Sequence, residues 1–297
     1  MSGRLRLDPD GGGWPNRAAS RMVASGGLDW HVQMAGAGPV VLLLHGTGAS
    51  THSWGQLFPL LAQDFTVVAL DLPGHGFTSA PRSGAASLPQ MAALVDGLLT
   101  QLGLEPVAIV GHSAGAAVAL RMVLDTRRRP AAVIGINAAL IPFPGLAGRV
   151  FPALARALFL NPFAAGLVAR RAQDTERVDR LLDNTGSAVP PWSRAIYQRL
   201  FANRHHVDAT LGMMAKWDLA TLWDDLPRVA VPVRLIATDN DRTVPPASAD
   251  KAVAQMKLGQ AIHVPRLGHL AHEEDAAALH DWIASILDQT THQARAS

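Results

Sequence analysis

Apolar residues fall in short blocks along the chain: VVLLLH at 40–45, TVVALD at 66–71, VAIVGH at 107–112, AVIGIN at 132–137, VRLIAT at 233–238 and AIHVPR at 261–266. Blocks this short and unbroken fit strands covered on both faces, because a strand open to water on one side would alternate apolar with polar residues. Between them, 88–102, 114–124, 247–256 and 273–287 place apolar residues at helical spacing and predict helices. Strands alternating with helices predict an α/β fold, a mostly parallel sheet with helices on both faces. Ahead of it, RMVASGGLDWHVQMAG at 21–36 predicts a hairpin turning at Gly26–Gly27. From about Leu140 to Asp225 the alternation stops, and helical segments are punctuated by Pro142, Pro144, Pro152, Pro162 and Pro190–Pro191. The predicted organisation is a core formed by 1–139 and 226–297, with a helical cap, 140–225, inserted into it.

Composition then narrows the chemistry. A chain of 297 residues, 48% of them hydrophobic, can bury a sizeable core. It contains no cysteine, which excludes disulfides, thiolate metal sites and a cysteine nucleophile. A formal charge of +2 gives no argument for a nucleic-acid partner. The segment 1–16 lacks the apolar run of a signal peptide, and the apolar stretch 157–169 is interrupted by Asn161 and Pro162, short of the ~20 residues that span a bilayer. The expected location is cytoplasmic, with any membrane contact peripheral. No HExxH or similar spacing occurs, so neither a metal nor another cofactor is expected.

The stretch IVGHSAGAAVAL, 109–120, carries the first specific signal. Gly111-His112-Ser113-Ala114-Gly115 has the G-x-S-x-G spacing of a nucleophile elbow, following a predicted strand and opening a predicted helix. A serine at such a turn sits in strained backbone, and side chains two positions to either side would collide with it, hence the glycines. A serine nucleophile needs a base and an acid to orient that base, in the chain order Ser, Asp or Glu, His. Asp241 follows the strand block 233–238 and His269 follows the block 261–266, where loops at the carboxyl edge of a parallel sheet would bring them to the serine. Asp239 is the competing acid; Asp241 is preferred because it immediately precedes RTVPP, as the acid usually does in this fold. His272 is expected to face solvent or cap the helix at Glu273, and His205 and His206 to lie on the surface. Donors for an oxyanion are expected in HGTGAST, 45–51: the amide of Thr47, or else of Gly48, acting with the amide of Ala114.

HGTGAS, LDLPGHGFT, GHSAG, DRTVPP and GHLAHEE, in this order, resemble the α/β-hydrolase superfamily from about Arg21 to Leu287. Serine at the elbow is unlike the haloalkane dehalogenase and epoxide hydrolase branches, which use aspartate there. WPNRAASRMVASGGLDWHVQMAG, HGTGASTHSW, INAALIPFPGLAGRVFP, NTGSAV and MMAKWDL further resemble the magnesium chelatase accessory proteins of α/β-hydrolase type. That resemblance implies a role near magnesium insertion into protoporphyrin in bacteriochlorophyll biosynthesis, and thus in photosynthesis, with magnesium chelatase subunits as partners.

The segment between Asp125 and Asp174 holds no acidic residue but includes Arg127, Arg128, Arg129, Arg149, Arg156, Arg170 and Arg171 among many apolar side chains. A hydrophobic small molecule such as a porphyrin, its carboxylates paired with arginine, would suit such a segment. Gly48, His112, Phe143, Phe151 and Arg149 are the candidate binding residues. Three readings stay open: ester or acyl hydrolysis through Ser113; porphyrin binding or assistance to the chelatase without chemistry; and hydrolysis of generic esters or carbon–carbon bonds unconnected with pigments.

Overall fold

The computed structural model describes residues 3–81, 86–142, 161 and 163–296, those beyond 289 as backbone only. Eight strands form one sheet: β1 (Ser20–Ser25), β2 (Leu28–Ala35), β3 (Val40–Leu44), β4 (Thr66–Leu70), β5 (Pro106–His112), β6 (Ala132–Ile136), β7 (Val233–Thr238) and β8 (Gly259–Val264). Their order across the sheet is β1-β2-β4-β3-β5-β6-β7-β8. The hairpin β1–β2 joins antiparallel at one edge, and β4 through β8 pair in parallel.

Every strand block named from the sequence forms a strand. The last is displaced, ending at Val264 rather than 266, because Pro265 has no N–H to continue the ladder. Burial on both faces follows from the unbroken apolar blocks. In β3, Leu42 and Leu44 point into one core while Val41 and Leu43 point into the other. β4 divides likewise, Val68 and Leu70 against Val67 and Ala69.

Among the described residues the helices are α1 (Leu7–Asp10), α2 (Leu57–Leu61), α3 (Leu88–Gln101), α4 (Ala114–Asp125), α5 (Ala164–Arg171), α6 (Thr175–Asp183), α7 (Pro191–Phe201), α8 (Arg204–Lys216), α9 (Leu219–Asp225), α10 (Ala247–Val253), α11 (Ala271–Glu274) and α12 (Ala276–Ala296). Ser87 and Gln90 form a capping box that starts α3, and its stripe Leu88, Met91, Ala92, Val95, Leu98 and Leu99 is buried on the sheet. α3, α4 and α10 contribute to one core, α2 and α12 to the other. The single helix expected over 273–287 divides at Asp275, between α11 and α12. Among the described residues between β6 and β7 there are helices and no strand. Among the described residues no helix is long and apolar enough to cross a membrane.

Two arginines are buried in the framework. Arg128 reaches Asp96 and, at 2.9 Å, Glu105, while Arg121 pairs with Asp125 and, at 2.7 Å, Asp225. Arg128 therefore ties α3 to the start of β5 and is committed to the fold, not to a ligand.

The tightest backbone approach lies where β5 turns into α4. A Cβ on Gly115 would fall inside the carbonyl oxygen of Leu44, and one on Gly111 would strike the backbone of Ala116. Neither obstacle is a movable side-chain tip. Gly115→Ala is expected to cost about 3 kcal/mol or more through overpacking. Urea unfolding measures this, and a variant as stable as the parent would show that the approach is not so close.

Candidate active site

Ser113 sits between β5 and α4 at φ 50° and ψ −114°, in the strained conformation that the elbow spacing requires. Its N–H donates to Ile136 O at 2.9 Å, and its carbonyl accepts from Ala139 N at 3.2 Å, so β6 and the chain beyond it hold the turn from one side. The residue is half-buried.

Asp241 and His269 come from the loops after β7 and β8 and meet directly. His269 Nδ1 lies 2.8 Å from Asp241 Oδ2, with both side chains buried. The other carboxylate oxygen of Asp241 accepts from the backbone N–H groups of Thr243 and Val244 at 2.7 and 2.8 Å. Three donors thus fix a carboxylate, and that carboxylate fixes the ring with Nδ1 as donor and Nε2 as acceptor. Asp239, the competing acid, is exposed. Among the described residues Ser113 Oγ and His269 Nε2 have no hydrogen-bond partner, so the dyad is formed and the link from it to the serine is open.

The loop carrying His269 is clamped from beneath by the ends of three strands. Asn137, just past β6 at φ 47°, donates from Nδ2 to the carbonyls of Gly268 and His269 at 3.0 and 2.9 Å. Thr238 at the end of β7 donates to Gly268 O at 2.8 Å. His112 at the end of β5 places Nε2 2.9 Å from His269 O. Burial holds the His112 imidazole well below its ordinary pKa, so the ring is neutral and Nε2–H donates. His112 therefore lies behind the serine and supports the histidine loop; its ring packs 4.7 Å from that of His269.

The loop after β3 crosses the elbow from the other side. A Cβ on Gly46 would come within 2.8 Å of His112 Nδ1 and 3.2 Å of Ser113 Cβ, which explains glycine there. Among the described residues the N–H groups of Thr47, Gly48 and Ala114 donate to nothing. His45 holds this loop to the one after β4: it receives the Leu72 N–H at Nε2, 2.9 Å, and its Nδ1 lies 2.8 Å from Gly46 O.

Two expectations about histidines are corrected. His206 is not on the surface: it is buried, accepts from Gly76 N at 3.2 Å through Nδ1, and places Nε2 3.0 Å from Gly48 O. Burial lowers its pKa to about 4, and its neutral ring ties α8 to the loop of Thr47 and Gly48. His205 is exposed, as expected. His272 neither faces solvent nor caps a helix: it is fully buried between Trp54 and His112, ring centres 4.4 Å from each, and burial lowers its pKa to about 3. Both misreadings share a cause, since a helical histidine surrounded by polar neighbours gives no periodic sign of burial. Phe143, Arg149 and Phe151 lie outside the described residues.

Sequence reasoning also missed Asp71, Glu273 and their partners. Asp71 is fully buried; burial works to raise its pKa, but His31 at 2.8 Å and the Thr51 N–H hold it well below the usual carboxylate range. It also receives the Phe77 N–H at 2.8 Å, so one carboxylate joins the β1–β2 hairpin to the loops after β3 and β4. Glu273 accepts from Ser193 Oγ and, at 2.8 Å, from Tyr197 Oη, both on α7. Burial pushes its pKa up to about 7 against those two donors. Close to His269 in the chain, it locks α7 to the histidine loop, beside the contacts of Thr185 O with the His269 N–H and of Ser187 Oγ with the Leu270 N–H.

Residues 41–282 match the model of the alpha/beta hydrolase family, and the chain belongs to that family. At 42% identity over 277 residues, 93% of this chain and 96% of the relative, it resembles the magnesium-chelatase 30 kDa subunit of Rhodobacter capsulatus. A thermophilic esterase of Thermogutta terrifontis shares the fold with a TM-score of 0.73 at 22% identity, over 91% of this chain and 98% of the other. The epoxide hydrolase CorEH does so with a TM-score of 0.77 at 22% identity, over 91% and 98%.

Glu273 makes the α7 joint sensitive to pH. With a folded pKa of about 7 against an ordinary 4.5, the native state keeps a proton between those values that the unfolded chain has released. Its contribution to stability is therefore greatest below pH 4.5 and declines as pH rises to 7, by roughly 3 kcal/mol in total. The buried histidines slope the other way, since their lowered pKa values favour the native state as pH rises. Comparing Glu273→Gln with the parent isolates the carboxyl: the variant should gain about 2 kcal/mol relative to the parent between about pH 5 and pH 8, read from urea unfolding. A pH-independent difference would contradict this.

Proposed function

We propose that the protein is a serine hydrolase of ester or acyl bonds that serves as an accessory to magnesium insertion into protoporphyrin. The observation carrying the catalytic half is the buried Asp241–His269 pair, together with a serine strained at φ 50° and the unengaged N–H groups of Thr47, Gly48 and Ala114. In this reading Ser113, Asp241 and His269 are the catalytic residues. His269 Nε2 takes the proton of Ser113 Oγ as Oγ bonds to the acyl carbon. The amides of Thr47 and Ala114 stabilise the oxyanion. The bond to the leaving group breaks as His269 returns the proton to it, and water, activated by the same imidazole, then frees the acyl group and restores the serine. The open Ser113–His269 contact closes when substrate binds, as such contacts commonly tighten only in the complex.

The biological half rests on likeness to the Rhodobacter capsulatus protein named as a magnesium-chelatase subunit. Chelatase subunits are then its partners, and a hydrophobic molecule, a porphyrin or porphyrin precursor, is its ligand. Residues 140–225 act as a cap over the reaction centre, with Gly48 at its floor and Phe143, Arg149 and Phe151 among the ligand contacts.

A fluorophosphonate should modify Ser113 in the folded protein. Ser113→Ala should abolish the adduct, and Asp241→Asn should slow its formation by about a thousandfold or more through loss of the correct tautomer. Mass spectrometry locates the adduct, and no modification of Ser113 would overturn the hydrolase reading. In a phototrophic strain lacking its own copy, Ser113→Ala should fail to restore bacteriochlorophyll; normal pigment would favour a binding role without chemistry.

A further inference from the structure

Between α5 and α6 runs an open surface groove of about 560 Å³. Two helical stripes line it. Val168, Arg171 and Ala172 follow one another at steps of three and one on α5 and just beyond it, and Arg177, Val178, Arg180 and Leu181 face them from α6. Phe201, at the end of α7, closes one side. Among the described residues no lining residue is acidic.

The three guanidinium groups are differently employed. Arg177 Nε donates to Asp174 at 2.9 Å, and Arg180 Nε donates to Glu176 O at 3.2 Å, so each of these two forks is held at its base. Arg171 and Arg180 have no carboxylate within ion-pair distance among the described residues. The two cations thus flank an apolar trough with no ion-paired carboxylate among the described residues. Guanidinium forks match carboxylates bidentately, and apolar walls exclude a hydrated inorganic anion as the natural occupant.

Position ties the groove to the reaction centre. Phe201 forms its wall and also lies against the loop after β3: a Cβ on Gly48 would come within 3.1 Å of its ring. Val178 and Ala172 share a cluster with Ala49 and with Leu270, the neighbour of His269. Phe201 thus touches both the groove and the loop of Thr47 and Gly48.

We propose that this groove is a carboxylate-recognition subsite for a hydrophobic small molecule bearing two carboxylates, gripped by Arg171 and Arg180 with its body against Val168, Val178, Leu181 and Phe201. The proposal rests on the hydrolase reading only for the role of the groove, which is to hold the charged end of the substrate away from Ser113. Affinity comes from the apolar body, and selection for the acid comes from the arginines.

Protoporphyrin IX and its dimethyl ester serve as probes, titrated into the full chain by fluorescence. The acid should bind at least about tenfold more tightly than the ester, an advantage that shrinks as salt rises. Arg171→Ala/Arg180→Ala should weaken the acid by about tenfold and leave the ester within about twofold, which also shows that the groove remains folded. Arg171→Lys/Arg180→Lys should fall between, since it keeps charge but loses the fork. Equal binding of acid and ester, unchanged binding of the acid by the alanine variant, or no binding of the acid would each overturn the proposal. Fluorophosphonate modification of Ser113 in the unmutated protein separates this proposal from the hydrolase reading. If the serine is modified and the acid fails to bind, the groove falls and the hydrolase stands; if the acid binds as expected and the serine stays unmodified, the hydrolase falls and the groove stands.

Discussion

A serine at φ 50°, wedged between two positions that admit no Cβ, is the constraint around which the site is arranged. Non-glycine residues adopt that backbone region only where surrounding packing holds them there. Here the packing is backbone against backbone: α4 starts close under the end of β3, and β6 takes the Ser113 N–H. The same crowding leaves the amides at the helix start and in the crossing loop without protein acceptors among the described residues. Strain at Ser113 thus goes with its place at the carboxyl edge of the sheet, where in the proposed chemistry the amides of Thr47 and Ala114 serve as donors.

Buried polar groups complete the support. Eight histidines are buried among the described residues, and the resolved shifts among them are all downward, as burial of an imidazole dictates. Neutral rings can accept and donate at once, as His45 and His206 do, while His112 donates through Nε2 alone; the three join loops that have no ladder between them. The two buried carboxylates outside the dyad differ in kind. Asp71, opposite His31 and two backbone N–H groups, is held ionised; Glu273, offered only hydroxyls, is pushed toward its neutral form. One fixes the hairpin side of the molecule, and the other joins α7 to the histidine loop in a pH-dependent way.

The sheet was legible because its strands are buried on both faces and so read as unbroken apolar blocks. The elbow was legible because its steric demands fall on residues adjacent in sequence: Gly111, Ser113 and Gly115 carry the whole requirement. Asp241 and His269 could be found because chain order and sheet topology send both loops to one edge. What escaped were contacts between distant loops. Asn137, Glu273 and His206 owe their roles to neighbours about 130, 80 and 160 residues away, and no local pattern encodes such a meeting. His272 misled for the same reason, its burial being set by Trp54 and His112 and not by its own helix.

The proposed chemistry needs one convergence, of the serine hydroxyl, the imidazole and the amides of Thr47 and Ala114 on a single reacting atom. The most direct measurement is a crystal structure of the phosphonylated protein. The proposed chemistry places phosphorus on Ser113 Oγ, a phosphonyl oxygen within hydrogen-bond distance of the N–H groups of Thr47 and Ala114, and His269 Nε2 facing the adduct while Nδ1 stays on Asp241. A phosphonyl oxygen turned away from both amides, or an imidazole that remains out of reach of the adduct, would contradict it.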